Sequence, residues 1–291
     1  MPESAEPVST GVFAWTAIVK VQAESEFCPL RNVAIMTKNA SFIRVALLSY
    51  PGSGNTWTRH MIQQLTGYCT GTVYCDKFLS VRGFPGECIF PNHKSKGCIV
   101  YKSHRTKNLT QFQKAVILIR NPFDALKAFF NWSSGKTPKS AGNNTTVDAP
   151  KQSKKPRDRF HALVDRSSFN TTGWNKYVKA QIRQWKSSYL VWLKTFPKRS
   201  MVVRYVDLKE NLIPTLRRIS KFLNVPTTEA EYICTDFNKE GQHHRKQKYS
   251  IKTSDIFTDE HISIINGAIT EVMSAARYRY RLKDFIFDNE Y

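Results

Sequence analysis

The chain has 291 residues and carries 44 Lys and Arg against 23 Asp and Glu, a formal charge of +21. That length suits one α/β domain with a substantial core, and the charge favours polyanionic partners in a salt-sensitive way: an anionic nucleotide, an acidic glycan or nucleic acid. No RNA- or DNA-binding motif accompanies the charge, so nucleic acid ranks last.

From the N-terminus, residues 1–40 read as a poorly ordered segment and 41–291 as a single domain. Residues 11–21 are partly apolar, yet too short and interrupted for a membrane span, and Glu3 and Glu6 are unlike the basic flank of a signal peptide. The apolar run Val45-Ala46-Leu47-Leu48 predicts a buried strand. It feeds Ser49-Tyr50-Pro51-Gly52-Ser53-Gly54-Asn55-Thr56-Trp57, and a helix follows over about 56–65. A turn of this kind leaves backbone N–H groups free at a helix start, where aligned peptide dipoles favour an anion. Gly52 and Gly54 let phosphate oxygens approach the main chain, and Ser53, Asn55 and Thr56 add short polar donors. Asn55 stands where an NTP-binding loop needs Lys, and Trp57 is placed to cover a flat base. The expectation is a cradle for a different phosphorylated nucleotide; a purely structural strand-to-helix turn is the competing reading.

Ile99-Val100-Tyr101-Lys102-Ser103-His104 predicts a second strand, with Lys102 and His104 facing the same side. An imidazole with a pKa of about 6.5 is largely neutral at pH 7 and can accept a hydroxyl proton, and Lys102 can supply positive charge to a group in transfer. Ala115-Val116-Ile117-Leu118-Ile119 predicts a third, parallel buried strand. It ends in Arg120-Asn121-Pro122-Phe123-Asp124, with Asn121 and Pro122 opening a helix. Arg120 then projects from a carboxyl edge, where open α/β sheets bind ligands, and can fork onto a second phosphate or pair with Asp124. A flexible basic insert is expected at about 133–170, its charge densest over 136–159. Trp174, Val178, Trp185, Tyr189, Trp192 and Phe196 recur at helical spacing and predict a helix laid on the core rather than a stacking platform. A strand at 201–204 and helices at 208–223 and 258–276 complete the pattern, with Pro214 kinking the first of these helices or marking a late start. The fold expected is a three-layer α/β sandwich around a mainly parallel sheet.

Six cysteines, at 28, 69, 75, 88, 98 and 234, do not match paired C-x-x-C zinc spacing, so disulfides and a secretory compartment are expected. Spacing leaves the connectivity open; Cys69 with Cys75 and Cys88 with Cys98 are plausible local pairs. Sequons at Asn39, Asn108, Asn131, Asn143, Asn144 and Asn170 permit glycosylation there. His243-His244 reads as a solvated pair, and no metal site is expected.

Taken together, the Tyr-Pro-x-Ser-Gly-x-Thr-Trp loop, Lys-Ser-His and Arg-Asn-Pro-x-Asp resemble sulfotransferases that use 3′-phosphoadenosine 5′-phosphosulfate (PAPS). The Gly52 form of the loop, Arg59-His60, Tyr74-Cys75-Asp76, residues 120–126 and Glu240-Gly241 look like the sulfotransferase region of WSC-domain-containing (WSCD) proteins. The likeness covers about 43–276 and implies a P-loop NTPase-like sulfotransferase fold. It implies that Pro51 and residues 52–56 hold the 5′-phosphosulfate, that Trp57 stacks on adenine and that Arg120 grips the 3′-phosphate. Arg245 and Lys246 resemble a basic pair that closes over that phosphate. His104 is then the base and Lys102 steadies the sulfuryl group. It implies PAPS as co-substrate without a metal, a carbohydrate or glycoprotein acceptor of sialylated, acidic type, and a membrane-anchored place in the Golgi lumen. Three positions depart from the cytosolic pattern. Gly52 replaces a Lys, leaving Lys102 or Arg59 to supply its charge. Ala128 replaces a phosphate-binding Ser, and Val206 replaces Glu in Arg204-Tyr205-Val206-Asp207-Leu208. A catalytically inactive polyanion- or glycan-binding module is the alternative, and a P-loop-type kinase a more distant one.

Overall fold

The computed structural model describes residues 27–37, 42–134, 164–241, 251–276 and 283–286. Four apolar runs and one short polar strand build a five-stranded sheet: β2 (Val45–Ser49), β3 (Thr70–Thr72), β5 (Val100–Ser103), β6 (Lys114–Ile119) and β7 (Ser200–Arg204). Their order is β3-β5-β2-β6-β7 and every pairing is parallel. A two-residue strand β1 (Met36–Thr37) pairs antiparallel with β4 (Lys96–Gly97) in a separate ribbon. The sheet is covered on both sides, as the continuous apolar runs require. Ala46, Leu48, Ala115 and Ile117 face α3 (Pro122–Ser134), α4 (Thr172–Thr195) and α8 (Asp259–Ala275). Val45, Leu47, Val116 and Leu118 face α1 (Asn55–Thr66), α5 (Tyr205–Glu210), α6 (Leu212–Leu223) and α7 (Glu229–Phe237). The three-layer α/β sandwich is therefore the observed fold.

The helix expected over 208–223 is broken at Asn211, and Pro214 lies in the first turn of α6, where its missing N–H leaves no bond unmade. The aromatic stripe of α4 lies against the sheet: Trp174, Trp185, Tyr189 and Trp192 are buried. Of the N-terminal segment, residues 27–37 are fastened by β1 and by a Cys28–Cys234 disulfide onto α7. At the basic insert, residues 133–134 close α3 and Arg166–Phe169 form a 3₁₀ turn.

The two local cysteine pairs expected above do not form. Cys69 joins Cys98, and Cys75 joins Cys88. The extended strand β3 carries Cys69 and Cys75 apart at about 3.3 Å per residue. Its parallel pairing of Thr70 with Val100 instead brings the residues just ahead of each strand together, with Cα atoms 4.9 Å apart at Cys69 and Cys98. Gly86 has no room for a side chain beside this bridge, since a Cβ there would lie 2.4 Å from Cys98 Sγ. A short α2 (Lys77–Ser80), capped by Asp76, fills the loop between the bridges.

Candidate functional site

β2 is the centre of the sheet, with β5 on one side and β6 on the other, so the chain turns both ways from it. Such a switch point opens a crevice beyond the carboxyl ends of the strands. The loop leaving β2 is held from below. The Tyr50 amide donates to Tyr189 Oη, Tyr189 Oη donates to Leu118 O, and Tyr50 Oη donates to Gln181 Oε1. Gly52 and Gly54 both adopt left-handed backbone, φ 82° and 89°, and Ser53 between them is fully buried. Gly54 caps α1 without a side-chain bond, so the first-turn amides of Asn55, Thr56 and Trp57 emerge at the crevice. Both glycines are sterically required. A Cβ on Gly52 would sit 2.4 Å from Ala125 O of α3, and one on Gly54 would sit 2.5 Å from the Tyr205 ring. Pro51 stands half-buried at the head of this turn. Asn55, expected to offer its side chain to a ligand, turns it inward: Nδ2 donates to Ser49 Oγ and Leu47 O, tying the helix start to β2.

His104 follows β5 on the adjoining strand. Its Nδ1 lies 2.6 Å from Ser49 O. A carbonyl only accepts, so the proton sits on Nδ1 and the lone pair is left on Nε2. The His104 amide donates to Tyr74 Oη, and the two rings stack with centroids 5.8 Å apart. Burial, with Lys102 and Arg59 nearby, pulls the His104 pKa down to about 3. Lys102 is lowered to about 8, by burial and then by Arg59. Arg59 itself is not free to serve the crevice. Its side chain is fully buried, its Nη2 lies 2.6 Å from Glu87 Oε2, and it donates to Thr70 Oγ1 and Thr70 O while lying over the Phe84 ring. Of the two cations expected to replace the charge missing at Gly52, Arg59 is thus consumed in a buried pair.

Arg120 leaves β6 on the far side of the loop. Its Nη1 donates to Gly52 O at 3.0 Å, its Nη2 lies 3.6 Å from Asp124 Oδ2, and its buried Nε has no hydrogen-bond partner. The guanidinium rests over the Tyr205 ring, 4.5 Å from its centroid. Trp57 packs on the same ring, with centroids 5.5 Å apart, and its indole N–H donates to Lys239 O. Tyr205 thus contacts Arg120, Trp57 and the space above Gly54 at once. In the sequence, Tyr205 stands out only as part of a family-like segment. The signal that marks it is the one used elsewhere, since it is the first residue beyond a parallel strand, β7. Arg245 and Lys246 lie outside the described residues, as does His243-His244. Among the described residues no group of three or more His, Cys, Asp or Glu could hold a metal ion.

Three parallel strand ends therefore place an amide nest, an imidazole with a free Nε2 and a guanidinium around one crevice. The family model of the sulfotransferase domain matches residues 43–265. The chain belongs to the sulfotransferase superfamily. Its relatives within it include WSCD family members. One from Aedes aegypti is 34% identical over 205 residues, 70% of this chain and 57% of its own length. Another, from Drosophila pseudoobscura pseudoobscura, is 30% identical over 226 residues, 77% of this chain and 64% of its own length. The chain thus spans less than two thirds of these relatives. Among solved structures, mouse sulfotransferase SULT7A1 complexed with PAP shares the fold, with a TM-score of 0.54 at 15% identity over 84% of this chain and 88% of that one.

Proposed function

We propose that this chain moves the sulfuryl group of PAPS to a hydroxyl of a carbohydrate, with sialylated glycans as the favoured acceptors, in the lumen of the Golgi. The observation that carries the reading is the convergence on the β2 loop: His104 bonds to Ser49 O and Arg120 to Gly52 O, from strands on opposite sides of β2. The residues fit an anionic nucleotide. Two glycines with no room for a side chain open the helix start, and Arg120 keeps a buried Nε without a partner. In this reading the amides of residues 54–57 hold the 5′-phosphosulfate, Arg120 the 3′-phosphate, and Trp57 with Tyr205 the base. PAPS supplies the activated sulfuryl group.

The chain's own part is positioning and charge. His104 accepts the acceptor's hydroxyl proton at Nε2, while its Nδ1–H stays on Ser49 O and fixes the ring. An imidazole held near 3 is neutral at pH 7 and thus ready to accept, but weakly basic. The nucleotide's negative charge raises its basicity, because a neighbouring anion favours the protonated form. Lys102 supplies the positive charge for the sulfuryl oxygens, where no Lys can stand at position 52. The secretory setting is supported by the cysteines, all six of which are paired in disulfides. No helix among the described residues is long and apolar enough to cross a membrane.

The test has two arms. Adenosine 3′,5′-bisphosphate should raise the melting temperature where ATP with Mg²⁺ does not; a shift with heparin and none with either nucleotide would favour the inactive polyanion-binding module. Radiolabelled PAPS, offered with neutral, sialylated and sulfated glycans, should label the sialylated set. The His104→Ala variant should lose transfer while keeping nucleotide affinity, and undiminished turnover would remove His104 from the role of base.

A further inference from the structure

The residue after His104 has no part in the scheme above. Arg105 is exposed, yet its backbone is fixed at both ends: its amide donates to Ser103 Oγ, and its carbonyl accepts from the indole N–H of Trp192, a fully buried residue of α4. Its guanidinium lies over the Tyr74 ring, 5.1 Å from the centroid, and that same tyrosine takes the His104 amide on its hydroxyl. Tyr74 is in turn followed by Cys75, held at φ 57° and bridged to Cys88. Other arginines around the site are committed. Arg59 is paired with Glu87 and Arg204 with Asp207, and Arg120 is assigned above to the nucleotide's 3′-phosphate. Arg105 has no ion-pair partner among the described residues.

We infer that Arg105, braced on Tyr74, binds the carboxylate of an acidic sugar and so sets which acceptor hydroxyl is presented to His104. This rests on the proposed function and adds to it the residue that reads the acceptor's charge. Three features support the assignment. A guanidinium offers a planar fork that matches a carboxylate in bidentate geometry, which a lysine does not. Holding the fork over an aromatic ring, on a backbone anchored at two points, lowers the ordering lost on binding. The Tyr74 ring holds both groups, the His104 imidazole 5.8 Å and the Arg105 guanidinium 5.1 Å from its centroid, so a carboxylate bound at Arg105 lies beside the same ring as the base.

Binding decides the matter independently of turnover. The PAP-loaded protein should bind the methyl α-glycoside of N-acetylneuraminic acid more tightly than its methyl ester, in which a methyl group caps the carboxylate and removes its charge. Arg105→Gln should weaken the acid by about 10- to 100-fold, the loss of a hydrogen bond to a charged group, and leave the ester unchanged. Arg105→Lys should restore only part of the difference. PAP affinity should be the same in all three proteins, which shows that each is folded with its nucleotide crevice intact. Equal binding of acid and ester by the unaltered protein, or an undiminished preference in Arg105→Gln, overturns the inference. A protein that prefers the acid but transfers no sulfuryl group from PAPS would refute the proposed function and leave standing only the contact between Arg105 and the carboxylate.

Discussion

Arg59 shows how burial decides what a cation can do. A guanidinium with no exposure must be paired, and here Glu87, Thr70 and the Phe84 ring enclose it. Removing one member of such a pair leaves the other charged and buried, which costs about 3–5 kcal/mol. Glu87→Ala should therefore lose about that much stability in urea titration, and a loss below about 1 kcal/mol would show the pair to be dispensable. Gly52 is the opposite case, a residue chosen for what it lacks. Its φ of 82° opposes any side chain, and so does the Ala125 carbonyl oxygen, 2.4 Å from where a Cβ would stand. Gly52→Ala should cost about 1–3 kcal/mol in backbone strain alone, with a parallel loss of nucleotide affinity as α3 is pushed from the loop. Calorimetric titration with adenosine 3′,5′-bisphosphate measures the second effect. Stability and affinity both equal to those of the unaltered protein would show that position 52 tolerates a side chain.

At the scale of elements, the ends of β2, β5 and β6 act as one unit, and their charges are coupled. Lys102 at the end of β5 is lowered to about 8 by burial and by Arg59. A bound phosphate raises that value, because it favours the protonated amine. Affinity for adenosine 3′,5′-bisphosphate should consequently be full below about pH 8 and fall as the pH rises through 8, where the free protein gives up the Lys102 proton. Isothermal titration across that range, from neutral to alkaline pH, tests this, and Lys102→Met should flatten the profile at the lower affinity. A profile that is flat in the unaltered protein would exclude Lys102 from the surroundings of the nucleotide's 5′-phosphate. α4 contributes at the same scale. Its buried aromatic stripe carries polar tips, and Tyr189 and Trp192 use them to hold the backbone of the strand-end loops. A helix that looks purely like core thus sets the height of the site's floor.

Across the whole molecule, two apolar layers clamp the sheet, and three disulfides tie its margins. The longest-range bridge, Cys28 to Cys234, closes a separation of 206 residues and fastens residues 27–37 to α7. A cross-link over so long a loop restricts the unfolded chain strongly, and removing a native bridge typically costs about 2–5 kcal/mol. The Cys28→Ser/Cys234→Ser protein should unfold at correspondingly lower urea under oxidising conditions. Unchanged stability would mean that the segment docks without needing the link.

The parts of this protein that could be read directly from its residues are those governed by neighbours in the chain. The buried strands at 45–49 and 114–119 announce themselves because a parallel strand covered on both faces is apolar throughout. The loop after the first and the Arg after the second follow them immediately, so their place at a carboxyl edge needed only the strand to be recognised. What depended on distant parts of the chain could not be read in this way. The partners of Cys69 and Cys75, the burial of Arg59 and the inward turn of Asn55 follow from β3 lying beside β5, and from the filled space between helix and sheet. Tyr205 becomes a shared wall for Gly54, Trp57 and Arg120 only because β7 lies next to β6. Local pattern names the groups that can meet an anion; which of them reach the crevice, and which are consumed in holding it open, is settled by how the strands are ordered.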